Sequence, residues 1–446
     1  MRHTTRSYLS ISLSFIICHL SFSPAGAQTP WTLERCIDHA VSHNISIEQM
    51  RVQLEQQAVQ LSNARNLRLP DLSASAGQNF SFGRGLTADN TYTNTNTSST
   101  SFSVGTGVPL FTGFQIPNQI RLSKLNLEAA THDLEKAKND VRTQVAQQYV
   151  QVLYNMEMLD VARRQVSIDS AQVARLQALL DVGRVSHAEL SQQQATLAQS
   201  HLTATQADNN LRLSLLTLSQ LLELESPEGF TIERNLERTH QMELTDEIEG
   251  VAGSAIDARP EIMAEQLRLR GTENSIAIAR AGYYPTLSFS AGLGTNYYTT
   301  SGFKADGFGK QLKNNFSQYL GLNLSIPIFN RFQTRNSIRQ AKLSRVSQQL
   351  QLDQTRKTLY KEMQTAYYNA VGAREKLHSS DEARRASEDA FQQVQAKYEA
   401  GRATITEFNE AKNNYLKTES DLTQARYEYL YQRALLQFYQ GKPLRL

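Results

Sequence analysis

Four stretches of the chain alternate strictly between apolar and polar residues. In 71–82, Leu72, Ala74, Ala76, Phe80 and Phe82 share one face, and Ser73, Ser75, Gly77, Asn79 and Ser81 the other. In 101–110, Phe102, Val104 and Val108 oppose Ser101, Ser103, Gly105 and Gly107. Leu287, Phe289, Ala291 and Leu293 oppose Ser288, Ser290, Gly292 and Gly294 in 286–297. In 316–328, Leu320, Leu322, Leu324, Ile326 and Ile328 oppose Ser317, Gly321, Asn323 and Ser325. A period of two puts successive side chains on opposite faces, so these stretches read as strands. Polar loops at 83–98 and 299–315 join them into two hairpins, 71–110 and 286–328.

Around the hairpins the pattern becomes helical. From about 116 to 181 no strong breaker follows Pro117, and Ile120, Leu127, Leu134 and Val141 return at heptad-like steps. At 1.5 Å per residue such a rod is roughly 100 Å long. Residues 333–400 form its twin, and each rod ends at a Gly-Arg turn followed by a shorter helix, 186–224 or 404–440. Short helices at 45–68 and 260–283 precede the hairpins. Their lengths, roughly 35 Å before each hairpin and roughly 55 Å after each turn, add up to nearly one rod. Two half-length helices stacked end to end are therefore expected beside each continuous one.

The two halves repeat one another. VPLFTGFQIPNQIRLSK (108–124) returns as IPIFNRFQTRNSIRQAK (326–342), and LRLPDLSASAG (67–77) as GYYPTLSFSAG (282–292). LLDVGRVSHAEL (179–190) returns as KYEAGRATITEF (397–408), matching Gly183 with Gly401, Arg184 with Arg402 and Glu189 with Glu407. A repeat this long is a duplicated domain, not a short-period solenoid. The expected division is a signal peptide at 1–27, a first repeat at 28–224, a linker at 225–250 and a second repeat at 251–446.

Composition changes this picture at three points. Arg2, His3 and Arg6, a short apolar run and Ala25-Gly26-Ala27 read as a cleaved export signal, so the chain is expected outside the cytoplasm. Cys18 lies in that leader, which leaves Cys36 alone and no internal disulfide. A net charge of +3 with 20% charged residues is too balanced to suggest nucleic acid. Mean hydropathy of −0.46 looks soluble, and past the leader no run of about 18 apolar residues spans a bilayer. The strands argue the other way. Four strands with one apolar and one polar face match a lipid-facing barrel wall, yet are too few to close a barrel. Three chains would supply twelve. The expected fold is mainly α with a membrane β-barrel: an internally duplicated chain whose homotrimer shares a twelve-stranded barrel and a long helical tunnel.

At this point the whole mature chain resembles the TolC-type outer-membrane factors of multidrug efflux and type I secretion. WTLERCIDHAVSHNISI (31–47), ARPEI (258–262), the Pro-x-Phe-x-x-Phe of Pro109–Phe114 and Pro327–Phe332, and the V/A-G-x-x-S/T-x-x-E turns carry the likeness. The resemblance implies an outer-membrane barrel above a periplasmic tunnel, an equatorial belt built from short elements such as 225–250 and the chain ends, a periplasmic adaptor and an inner-membrane transporter as partners, and outer-membrane lipid around the barrel. It places a constriction at the tunnel tip, on Glu407 and Glu410, with Glu189 as the acidic position of the first half and Tyr398 as the aromatic before the turn. Rings of three carboxylates there would raise one another's pKa and favour cations. The turns Val182, Gly183, Ser186 and Ala400, Gly401, Thr404 fall where the family's tips meet the adaptor. One departure stands out: the basic latch position holds Ala403, so Arg402 and Arg184 become the candidate latch, pairing with Glu189.

His39 and His43, four apart, lack a third ligand at motif spacing, so no metal is expected, nor any other cofactor. No serine, cysteine or histidine sits in a catalytic signature, so the chain is not expected to be an enzyme. The rival is a trimeric adhesin, which also closes a barrel from three chains. Its strands are contiguous at the C-terminus, whereas here they come two and two, each pair inside its own helical repeat.

Overall fold

The computed structural model describes residues 30–86, 90–234 and 256–446. The leader and residues 235–250 of the linker lie outside the described residues. Helices α1 (Leu33–His43) and α2 (Ile45–Asn66) open the first half, where the sequence suggested a single helix. Strands β1 (Asp71–Ser81), β2 (Arg84–Leu86), β3 (Tyr92–Asn94) and β4 (Thr97–Thr112) follow, then the rod α3 (Gln115–Asp181) and α4 (His187–Leu221). The second half runs α5 (Pro260–Arg280), β5 (Thr286–Thr300), a short α6 (Phe308–Asn314), β6 (Ser317–Ser325), the rod α7 (Gln333–Glu399) and α8 (Ile405–Tyr439). Both rods have 67 residues and both helices after the turns have 35.

The two hairpins merge into one antiparallel sheet in the order β1–β4–β5–β6, so the halves are joined through β4 and β5. Register aligns the alternation across all four strands. Leu72 pairs with Thr106, Thr106 with Ala291, and Ala291 with Leu320; the next row is Ser73, Gly105, Gly292 and Tyr319. One face is thus largely apolar and the other mostly small and polar, with the Tyr319 ring lying over Gly292. Leu320 and Leu322 are 80% and 69% exposed on the apolar face. Strand β6 stops at Ser325, short of residue 328, because Ser325 pairs with Thr286, the first residue of its partner β5. The loops are also built: β2 and β3 pair within the first, and in the second Gln311 from α6 exchanges hydrogen bonds of 2.9 Å with the backbone of Tyr298.

Where strand becomes rod, each half places a phenylalanine in the left-handed region, Phe114 (φ 66°) and Phe332 (φ 61°). Edge-on pairs hold these turns, Phe111 on Phe114 at 5.3 Å and Phe329 on Phe332 at 5.5 Å. Below them the stacking arithmetic takes physical form. Asn44 sits between α4 and α2, donating to the Leu221 carbonyl (3.1 Å) and accepting from the Ser46 N–H (3.0 Å). It caps both helix ends at once, so α4 and α2 run as one broken helix along α3. In the second half Arg259, at the start of α5, lies over the Phe438 and Tyr439 rings at the end of α8 (5.3 and 5.5 Å).

The core sits at mid-height. Leu33, Cys36, Ile37, Ala40 and Ile47 pack with Val141–Met156 of α3, Leu218, Leu222, Phe230, Ile232, Tyr427 and Leu430. Burial along α3 broadens there from one stripe to most of its circumference, because α1, α4, α8 and the 227–234 segment surround it. Trp31 bridges Ile232 in parallel, and the Tyr149 hydroxyl reaches the carbonyls of Trp31 and Glu233 at 3.1 and 3.0 Å. Burial pushes the Cys36 thiol up to about 12. Among the described residues no helix is long and apolar enough to cross a membrane.

Candidate functional site

The lower ends of the rods are built by two copies of one turn. Gly183 (φ 73°) and Gly401 (φ 69°) end α3 and α7 in the left-handed conformation that costs glycine least. Arg184 N–H donates to the Leu179 carbonyl (2.9 Å) and Gly183 N–H to Leu180 (2.8 Å); Arg402 to Lys397 (2.7 Å) and Gly401 to Tyr398 (3.0 Å) repeat the pattern. These are Schellman ends, which satisfy carbonyls a helix would otherwise leave open. A few residues on, Ser186 and Thr404 start α4 and α8. Their hydroxyls accept from the N–H of Glu189 and Glu407 (both 3.2 Å). Each glutamate reaches back to its cap's N–H, at 3.3 Å for Glu189 and 2.7 Å for Glu407. Both turns are therefore capping boxes.

Within one chain the caps bear on the expected tip roles in two respects. Hydrogen bonds from Thr404, backbone first and then hydroxyl, hold the Glu407 carboxyl below its usual range. Within one chain that acts against the mutual raising expected of a closed ring. Glu189, folded onto its own cap, makes no pair with Arg184 or Arg402. Both guanidiniums are exposed, and among the described residues neither makes an ion pair. Glu410 is exposed one turn further along α8. Tyr398 packs inside the tip: its hydroxyl meets the Gln172 amide, its ring stacks on Phe408 at 5.0 Å, and Arg175 lies over it at 5.1 Å. Desolvation raises its pKa.

Sequence reasoning missed a polar cluster behind these turns. Lys412 of α8 and Asp169 of α3, both fully buried, form an ion pair. Asp169 also accepts from Gln193 (3.2 Å) and Ser200 (2.5 Å) of α4, and Asn409 donates to Gln193 (3.2 Å). The signal was present, since Asp169 falls in heptad phase between Ala162 and Leu176, and Lys412 falls between Phe408 and Leu416 on the buried stripe. His39 and His43, by contrast, simply stack on each other at 4.1 Å.

A duplicated chain of this geometry can be placed by comparison. A profile of the outer membrane efflux protein family matches residues 36–223 and again 251–442, one match for each half. The chain belongs to the outer membrane efflux protein family. It is 22% identical to outer membrane protein TolC of Vibrio cholerae serotype O1 over 287 residues, 64% of each protein. It is 24% identical to CyaE of Bordetella pertussis over 401 residues, covering 88% of this chain and 80% of that one. Among solved structures the fold is similar to CusC, with a TM-score of 0.77, 16% identity and 92% of both chains covered. Membership makes this an outer-membrane protein of a channel family. The two matches leave residues 224–250 between them.

Proposed function

We propose that three copies of this chain close a twelve-stranded barrel in the outer membrane and a helical tunnel beneath it, the exit duct of a tripartite efflux or type I secretion system. The observation that carries this reading is the sheet. Its apolar face runs over four strands and is exposed, while among the described residues β1 and β6 at its two edges each have one neighbouring strand. An exposed edge invites pairing with another chain, and closure into a barrel is what removes it. Strands of 9 to 16 residues are long enough to cross a bilayer at a barrel's tilt. The helical layer has matching open edges, with Val52 and Val59 exposed on α2 and Leu343, Val346 and Leu350 on α7. Two different edges meeting head to tail form a ring when the rotation closes.

The tip is the gate in this reading. Glu407 and Glu410 of three chains form rings that favour cations, the turns at Val182–Ser186 and Ala400–Thr404 receive a periplasmic adaptor, and an inner-membrane transporter supplies the cargo. Extraction from outer membranes in mild detergent, followed by native mass measurement, tests the assembly. A detergent-requiring particle of three chains is expected. A monomer or dimer soluble without detergent overturns the barrel and the tunnel together.

A further inference from the structure

The duplication offers a control on the buried cluster. At the tip the two halves match at an offset of 218, which relates Asp169 to Ser387 and Ser200 to Thr418. Both pairs meet: Ser200 donates to Asp169 at 2.5 Å, and Ser387 lies 2.5 Å from Thr418. Each helix pair, α3 with α4 and α7 with α8, therefore carries one polar layer at the same height, roughly 18 Å above the end of its rod. Only the first layer is charged, and its counter-charge comes from the other half. Lys412 reaches Asp169 from α8, while Gln194, the residue equivalent to Lys412, is exposed on α4.

Stability alone does not account for such a pair. Burying both charges is costly, and an apolar pair of similar volume would hold the helices at least as well. What an ionic pair adds is register. Sliding α8 by a turn against α3 would strand two buried charges, a cost that no exchange of apolar neighbours matches. The pair also acts at a chosen place. Asn409, bound to Gln193, and Lys412, bound to Asp169, bracket Glu410 and follow Glu407 on the first turns of α8.

We propose that Asp169 and Lys412 form the positioning latch of the tunnel tip. They dock the first turns of α8 onto α3 and α4 and so set where Glu407 and Glu410 stand, in place of a basic latch at the turn itself. This rests on the tip acting as the gate. Releasing the pair frees α8 to move away from α3 and α4 with α7, widening the entrance.

The test is full-length protein in planar lipid bilayers, read by single-channel conductance and by reversal potential in a potassium chloride gradient. Lys412→Met leaves Asp169 without its counter-charge, and should raise conductance several-fold and weaken cation preference. The exchange Asp169→Lys with Lys412→Asp should restore both. A purely structural pair would lower the melting temperature and leave conductance and reversal potential unchanged, which would overturn the proposal. If Lys412→Met does not assemble, Asn409→Ala with Ser200→Ala strands no charge and should give the same shifts at smaller amplitude; unchanged readings there also overturn it. Glu407→Gln with Glu410→Gln separates the two readings. If cation preference survives that variant, the charged rings fail, and the latch then stands or falls on conductance.

Discussion

At the scale of single residues, two backbone sites repay measurement. Gly113 (φ 62°) lies so close to the turn after α5 that an added Cβ would come within 2.8 Å of the Ala281 carbonyl and of the Tyr284 Cβ. Gly113→Ala should cost roughly 2 kcal/mol or more, from overlap and left-handed strain together, read as a lowered urea midpoint. Its counterpart in the second half is Arg331, at φ 53°. Arg331→Gly should therefore add about 1 kcal/mol of stability at most, read as a raised midpoint. The capping boxes add a pH dependence. The Glu407 pKa is depressed below its ordinary 4.5, so its contribution is present above that value and is lost as pH falls through the folded pKa. The protection of amides in the first turn of α8, taken relative to the intrinsic exchange rate at each pH, should fall on acidification below the ordinary value, and Glu407→Gln should abolish that fall.

At the scale of elements, two side chains span the joint between α4 and α2: Asn44, and Glu223, which accepts from the Ile45 N–H at 3.2 Å. Asn44→Ala removes a cap from α2 and a donor from the end of α4, and should cost about 1–2 kcal/mol. Hydrogen exchange should rise on both sides of the joint, at Ile45–Glu48 and near Leu221, and little at the tip. An effect confined to α2 would show that the helices are not coupled end to end. The joint also shows how far sequence reasoning reached. Summed lengths predicted that two half-length helices would lie beside each rod. They did not reveal that the halves solve the joint differently, with a shared amide in one and a guanidinium over two aromatic rings in the other. Both contacts join residues about 180 positions apart, Asn44 with Leu221 and Arg259 with Phe438 and Tyr439, so neither could be read from local sequence.

At the scale of the whole molecule, the sheet's two faces make opposite predictions. Leu322 is on the apolar face and Asn323 on the polar one. Leu322→Arg should cost roughly 2–4 kcal/mol if it meets the bilayer midplane, and should sharply reduce the assembled, membrane-inserted fraction. Asn323→Arg should be tolerated. Equal loss from both would mean that the apolar face packs on protein instead of lipid.

Sequence alone determined the features that period and repetition encode. Alternation picked out the strands and unbroken heptad-like spacing picked out the rods, because each depends on residues close together in the chain. The echo between the halves picked out the two tip turns, because each copy is a short local motif. Tertiary structure decided whatever depends on distant pairs or on side-chain direction: that β4 joins β5 to make one sheet, that Tyr398 packs inward on Phe408, and that Glu189 and Glu407 serve their own caps. It also decided the meaning of Asp169 and Lys412. In sequence each is a charge in phase with the apolar stripe of its own helix, and only the packing of α8 against α3 and α4 takes both out of water and makes each the other's counter-charge.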